Sequence, residues 1–145
     1  MKHGTALVEA SEVHALNILR LREYSKSKAY TAKNESILWN EIDQKSQVLG
    51  MWNRGVLIAS MRLEKINSLE ELQSRMPAPL QLPFQLEFPL GILNKAVTAK
   101  GYTGEGLNAH LRYQLLRLAY SQDIKAVLGT LLKGAPRSNS LRQMG

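Results

Sequence analysis

The chain alternates between short runs with a two-residue apolar repeat and longer runs with a helical one. Thr5-Ala6-Leu7-Val8 reads as a short first strand. Ser11 then stands where an N-cap would, and Val13, Leu16, Leu19 and Leu21 recur at roughly helical spacing, fading in the polar Ser25-Lys26-Ser27-Lys28. A second short helix is expected over Glu35 to Ile42, with Ile37, Leu38 and Trp39 as its buried residues. Gln47 to Trp52 and Val56 to Leu63 flank Asn53-Arg54-Gly55, which predicts an antiparallel hairpin whose positive φ values come from Asn and Gly.

Ser68-Leu69-Glu70-Glu71 has the spacing of a capping box and opens a predicted helix to Met76. Pro77, Pro79, Pro83 and Pro89 then make regular structure untenable, so the segment is read as an extended connection. It carries Leu80, Leu82, Phe84, Leu86 and Phe88, which either pack on the core or line a pocket for an apolar group. From Gly91 to Thr98 a strand is predicted, followed by the turn Gly101-Tyr102-Thr103-Gly104-Glu105-Gly106. An amphipathic helix follows, with Leu107, Leu111, Leu115, Leu118 and Ala119 on one face. Ala126 to Leu132 is a strand and Pro136 to Met144 a terminal helix. Strand, glycine turn, helix and strand make a βαβ unit with parallel pairing.

Composition narrows the classes. The chain has 145 residues, 44% apolar and 21% charged, which suits one globular domain over 1–145. No uninterrupted apolar run approaches a membrane span, and Met1-Lys2-His3-Gly4 has no apolar segment of a secretory signal behind it. The lack of cysteine removes disulfide frameworks and thiol nucleophiles and fits a cytoplasmic protein. Of the net charge of +7, +5 lies in residues 100–145, with seven basic and two acidic groups, so an anionic partner is expected there. A nucleic acid is disfavoured, because only 6% of residues are aromatic and no recognition motif is present. His3, His14 and His110 have no ligand-spaced partner, so no metal is expected.

The glycine turn has two physical uses. It can be a tight strand-to-helix connection alone, or it can let an anion approach the unpaired amides that open a helix, here Gly104 to Asn108. Gly106-Leu107-Asn108 lacks the Lys-Ser/Thr ending of a Walker A loop. A dinucleotide fingerprint fits only in its looser form, through Ala109, and the acidic residue near the expected distance, Asp123, precedes the next strand.

In order of elements the chain resembles the GCN5-related N-acetyltransferase (GNAT) superfamily. The hairpin about Asn53-Arg54-Gly55, the strand through Ala96-Val97, the turn Tyr102 to Leu107, the strand Val127-Leu128-Gly129 and the ending Leu141-Arg142-Gln143-Met144-Gly145 carry that likeness. The resemblance implies an α/β GNAT-like (acyl-CoA N-acyltransferase) fold, a mixed central sheet flanked by helices. Against the family motif Arg/Gln-x-x-Gly-x-Gly/Ala, Thr103 takes the Arg/Gln position, Gly106 the first glycine and Asn108 the last small residue. Lys95, Ala96, Val97 and Thr98 would then offer backbone groups to a pantetheine arm. Thr103, Gly104, Glu105, Gly106, Leu107 and Asn108 would hold the pyrophosphate. Leu141 stands where the family often has a tyrosine acid, and Glu87 is the acidic residue near the fourth strand that would act as base.

Arg62-Leu63, the apolar insertion and the terminal Leu-Arg-Gln-Met-Gly are similar to long-chain N-acyl amino acid synthases and acyl-homoserine-lactone synthases. That likeness implies acetyl-CoA, a long-chain acyl-CoA or an acyl carrier protein as donor, and a small amine as acceptor. The family continues into two further strands beyond the glycine matched by Gly145. Their loss, their supply by a partner in a homodimer, or a different closure of the fold is the expectation here. The alternative function is a catalytically silent GNAT-like domain that binds a partner.

Overall fold

In a computed structural model, residues 1–25, 37–76 and 85–129 are described. The strands are β1 (Gly4–Leu7), β2 (Gln47–Asn53), β3 (Val56–Ile66), β4 (Leu90–Thr98) and β5 (Ala126–Gly129). They form one sheet in the order β1-β2-β3-β4-β5, antiparallel except for the parallel join of β4 and β5. The helices are α1 (Val13–Tyr24), α2 (Glu41–Gln44), α3 (Leu69–Ser74) and α4 (Leu107–Ser121).

The period of two along β3 divides the molecule. Ala59, Met61 and Leu63 point to one face and pack with Leu49, Leu93 and the α4 stripe Leu111, Leu115 and Ala119. The opposite face carries Val48, Trp52, Ile58 and Val97 under Leu16 and Leu19 of α1. A third cluster, Ile66, Leu72, Leu90 and Ile92, closes the far end of the sheet, with Met76, Leu86 and Phe88 packed on it. For Leu86 and Phe88 the core reading of the proline-rich segment therefore holds, whereas Leu80, Leu82 and Phe84 lie outside the described residues.

Local chemistry sets several boundaries differently from the pattern alone. The first strand starts at Gly4, although the Val8 amide still donates to the Val48 carbonyl at 2.9 Å. Ser11 is not the cap of α1. It lies in a 3-10 turn, Ala10–Glu12, where Glu12 accepts from the Glu9 amide. Leu21 is 42% exposed and Arg20 is buried in its stead, held by Asp43 and the Ile37 carbonyl. The second helix begins only at Glu41, because the Asn40 side chain accepts from the amides of Ile42 and Asp43 and fixes the start there. Leu38, outside that helix, is exposed.

In the hairpin the positive φ values belong to Arg54 (+50°) and Gly55 (+81°), while Asn53 still pairs with Val56. Two consecutive positive φ values are what a tight turn between right-twisted strands requires. Ser68 caps α3 through the Glu71 amide, but Glu71 reaches back to Asn67, and the helix ends at Ser74. The βαβ unit forms as expected, with Leu90–Leu93 beside Ala126–Gly129. Thr130 to Leu132 and the terminal helix lie outside the described residues.

Candidate functional site

Two irregularities meet at the Thr98 end of β4. The first is a bulge: Ser60 pairs with Val97 and Arg62 with Asn94, so β4 spends an extra residue, Lys95 or Ala96, opposite Met61. Lys95 sits at φ +52°, in left-handed space that a lysine seldom adopts. The Tyr24 hydroxyl at the end of α1 donates to the Ala96 carbonyl at 2.8 Å and ties that helix to the bulge.

The second irregularity is the glycine turn. The Ala99 amide donates to Ile58 at 2.7 Å and the Tyr102 amide to Ala99 at 3.1 Å, after which Gly101, Gly104 and Gly106 all take positive φ. A Cβ at Gly104 or Gly106 would meet nothing within 4 Å, so these glycines serve backbone conformation, not space. Gly106 is the left-handed N-cap of α4, and no acidic residue lies in the first turn of that helix. Thr103 to Gly106 are exposed, Leu107 and Asn108 half-buried. The Asn108 Oδ1 atom is buried without a hydrogen-bond partner. Opening amides, partial positive charge and an accessible turn together suit an anion such as a pyrophosphate. His110, one turn into α4, is exposed.

The predicted donor-binding residues thus fall on two adjoining elements, β4 from Lys95 to Thr98 and the turn from Thr103 to Asn108. Glu87 does not join them. It is exposed and precedes β4 at the end where Leu90 pairs with Ile66 and Ala126. Five residues of strand, about 16 Å, separate Leu90 from Lys95. On the β5 side the described pairing ends at Leu93 and Gly129, so whatever faces Lys95–Thr98 there lies outside the described residues.

Pattern reading missed a buried ionic network beneath the bulge. Arg20 of α1 is fully buried and donates to Asp43 Oδ1 at 2.7 Å and to the Ile37 carbonyl at 3.2 Å. Arg62 of β3 reaches the same Asp43 oxygen at 3.2 Å, Asn94 Oδ1 at 2.8 Å and Glu64 Oε2 at 3.4 Å. Glu64 also accepts from Asn94 at 2.6 Å and from Arg75 at 2.8 Å. Burial alone would raise the Asp43 pKa. The hydrogen bond and charge of Arg20, the charge of Arg62 and the Asn40 amide outweigh it and hold the carboxyl below its ordinary value. The signal lay in the pattern: Arg20 occupies a stripe position beside Leu16 and Leu19, and Arg62 and Glu64 alternate with Met61 and Leu63.

No family model matches the chain, and no curated protein sequence matches it significantly. Solved structures do. A ribosomal-protein-alanine N-acetyltransferase from Brucella melitensis biovar Abortus 2308 is 14% identical, with 97% of this chain and 89% of that one covered and a TM-score of 0.66. The aminoglycoside N-acetyltransferase AAC(6′)-Iy in complex with CoA is 11% identical, covering 97% and 87% at a TM-score of 0.65. A glucosamine-6-phosphate N-acetyltransferase from Arabidopsis thaliana is 11% identical, covering 99% and 90% at 0.63. At such identities the likeness establishes the fold, which is that of the GNAT acetyltransferases. Among the described residues no helix is long and apolar enough to cross a membrane, and no group of three or more His, Cys, Asp or Glu side chains could hold a metal.

Proposed function

We propose that this chain is an N-acyltransferase that moves an acyl group from a pantetheine thioester to an amine. The observation that supports it most is the adjacency of the β4 bulge at Lys95–Ala96 and the exposed glycine turn that opens α4. In this reading Lys95, Ala96, Val97 and Thr98 line the pantetheine arm, while the amides from Gly104 to Asn108 hold the pyrophosphate of CoA. The amine lone pair attacks the thioester carbonyl carbon, and a C–N bond forms. Backbone amides of β4 stabilise the oxyanion. The C–S bond then breaks, and the thiolate leaves and takes up a proton. The proton lost by the amine goes to water or to Glu87, and the distance of Glu87 along β4 favours water.

The donor is acetyl-CoA, a long-chain acyl-CoA or an acyl carrier protein. Similarity to the long-chain N-acyl amino acid synthases and acyl-homoserine-lactone synthases favours a fatty donor, and the basic residues 100–145 suit an acidic carrier. The packing of Leu86 and Phe88 on the core favours acetyl-CoA, since two residues that could line an acyl tunnel are already covered. Thr103 in place of Arg or Gln favours a second reading, a silent domain that binds a partner. Thermal denaturation with each donor decides among them. A ligand at a hundred times its dissociation constant adds about 2.7 kcal/mol. A raised midpoint with any thioester is expected, and the donor that raises it is the substrate class. An unchanged midpoint with all three leaves the silent domain.

A further inference from the structure

We infer that Tyr24 sets the length of the acyl group this chain accepts: its ring walls the thioester end of β4, so that short acyl groups enter and long ones do not. The inference rests on the acyl-transfer reading for the course of the donor along β4. It goes beyond that reading by choosing among the donors.

The edge of β4 gives the place. The Ala99 amide donates to the Ile58 carbonyl at 2.7 Å, and Val97 stands opposite Ser60 two residues earlier. In an antiparallel ladder amides two residues apart point the same way, so those of Val97 and Ala99 face β3. The carbonyls of Ala96 and Thr98 belong to the same planar trans peptides and therefore point away from β3, along the edge that the donor follows. The Tyr24 hydroxyl donates to the Ala96 carbonyl at 2.8 Å, so it stands on that edge, at the bulge. Its half-buried ring packs against the cluster that holds Leu19, Ile58 and Val97.

The other ways out are shut. Ahead, toward the start of β4, Leu93 is already paired with Gly129 of β5. On the α4 face Ala96 packs against the cluster of Met61, Leu93, Leu111 and Leu115, of which Leu111 and Leu115 are fully buried. A donor with its pyrophosphate at the glycine turn and its arm along Thr98 to Lys95 brings its thioester to Ala96. Its acyl chain then has a closed strand pair in front, a packed core on one side and the Tyr24 ring on the other. A close-packed core does not take in extra methylenes without strain. Tyr24 is the wall that can be removed, because it is the last residue of α1 and only half-buried. An acetyl group ends at these walls, whereas a fatty chain has to displace one of them.

The test is a ladder of acetyl-, butyryl- and octanoyl-CoA, with free CoA as reference, titrated calorimetrically into the full chain. In an open apolar channel affinity rises with each added methylene. The wild type is expected to show the reverse, with octanoyl-CoA bound about tenfold more weakly than acetyl-CoA. Tyr24→Ala should remove most of that difference. Tyr24→Phe, which keeps the ring and loses only the hydroxyl, should preserve it. If Tyr24→Ala does not fold, Tyr24→Leu keeps an apolar contact with the cluster, lowers the wall and gives the same reading. A wild type that binds octanoyl-CoA as tightly as acetyl-CoA overturns the inference, and so does a folded Tyr24→Ala or Tyr24→Leu variant with an unchanged ratio. Free CoA bound without any such discrimination sinks the wall alone. No binding of CoA or of any thioester sinks the acyl-transfer reading with it.

Discussion

The two faces of the sheet are built from one alternating strand and solve burial in opposite ways. Toward α4, Ala59, Met61 and Leu63 meet Leu93, Leu111 and Leu115, and each gains by leaving water. Toward α1 and α2, Ser60, Arg62 and Glu64 from the same strand are as deeply buried, yet they are polar: Ser60 donates to the Leu49 carbonyl, and Arg62 and Glu64 are held by Asp43, Asn94 and Arg75. An apolar face tolerates imperfect partners, whereas an ionic one depends on every partner at once. The bulge and Lys95 stand on the ionic face, so the part of the sheet that costs most to assemble is also the part that carries charge into the candidate site.

The largest effect expected from this contrast follows Asp43→Ala. Two buried guanidinium groups, Arg20 and Arg62, lose the carboxylate they share. Leaving such charges unpaired costs about 3–5 kcal/mol, measurable by denaturant unfolding. In a double-mutant cycle, Arg20→Met combined with Asp43→Ala should cost less than the sum of the single changes. The sign with pH follows from the lowered Asp43 pKa. Its contribution is fully present above the unfolded carboxyl pKa of about 3.9 and is lost as pH falls through the lower folded value. Wild-type stability should therefore drop over that acid window by more than the stability of Asp43→Ala does. A small, additive, pH-independent cost would show that the network is only a set of separate contacts.

On the α4 face the matching change is Leu115→Ala, a fully buried side chain at the centre of the apolar cluster. Its loss leaves a cavity and is expected to cost about 3 kcal/mol by the same unfolding measurement. Here the cost should be flat across the acid window, because no ionisable partner is exposed or stranded. A pH-dependent cost would mean that the two faces are coupled through β3, and the contrast between them would fail.

Elements with a strong period were legible in the chain itself: the hairpin, β4, α4 and the parallel return to β5 all lie where apolar spacing put them. The glycine turn was legible too, since three glycines before an amphipathic helix leave few other conformations. What could not be read was pairing at a distance. Arg20 interrupts a helical stripe and Asp43 sits in a four-residue helix 23 positions later, and neither looks buried until both are placed beside Arg62. The start of α2 was misplaced for a related reason, because one Asn40 side chain bonded to two amides outweighed the apolar run Ile37-Leu38-Trp39. At Lys95 the backbone groups were legible as strand, but the bulge that turns its side chain toward the ionic face depends on the register with β3.

The smallest effect tests whether that ionic face is balanced. Lys95→Gln keeps an unbranched polar side chain, one atom shorter, at the position where φ is +52°, and removes the charge. In the free chain the ammonium pKa lies below its ordinary value, through burial and then the repulsion of Arg62 and Arg20. The unfolded chain holds that proton more tightly, near the ordinary lysine value of about 10.4. Keeping Lys95 charged therefore costs stability below its folded pKa, and the cost is relieved as pH rises through that value. Lys95→Gln is expected to be more stable than wild type near neutral pH by about half a kcal/mol, read as a raised thermal midpoint. The advantage should shrink as pH rises through the folded value and vanish only above the unfolded value of about 10.4, where the wild-type side chain is neutral in both states. A Lys95→Gln variant less stable than wild type at neutral pH would mean that the ammonium is already compensated within the fold.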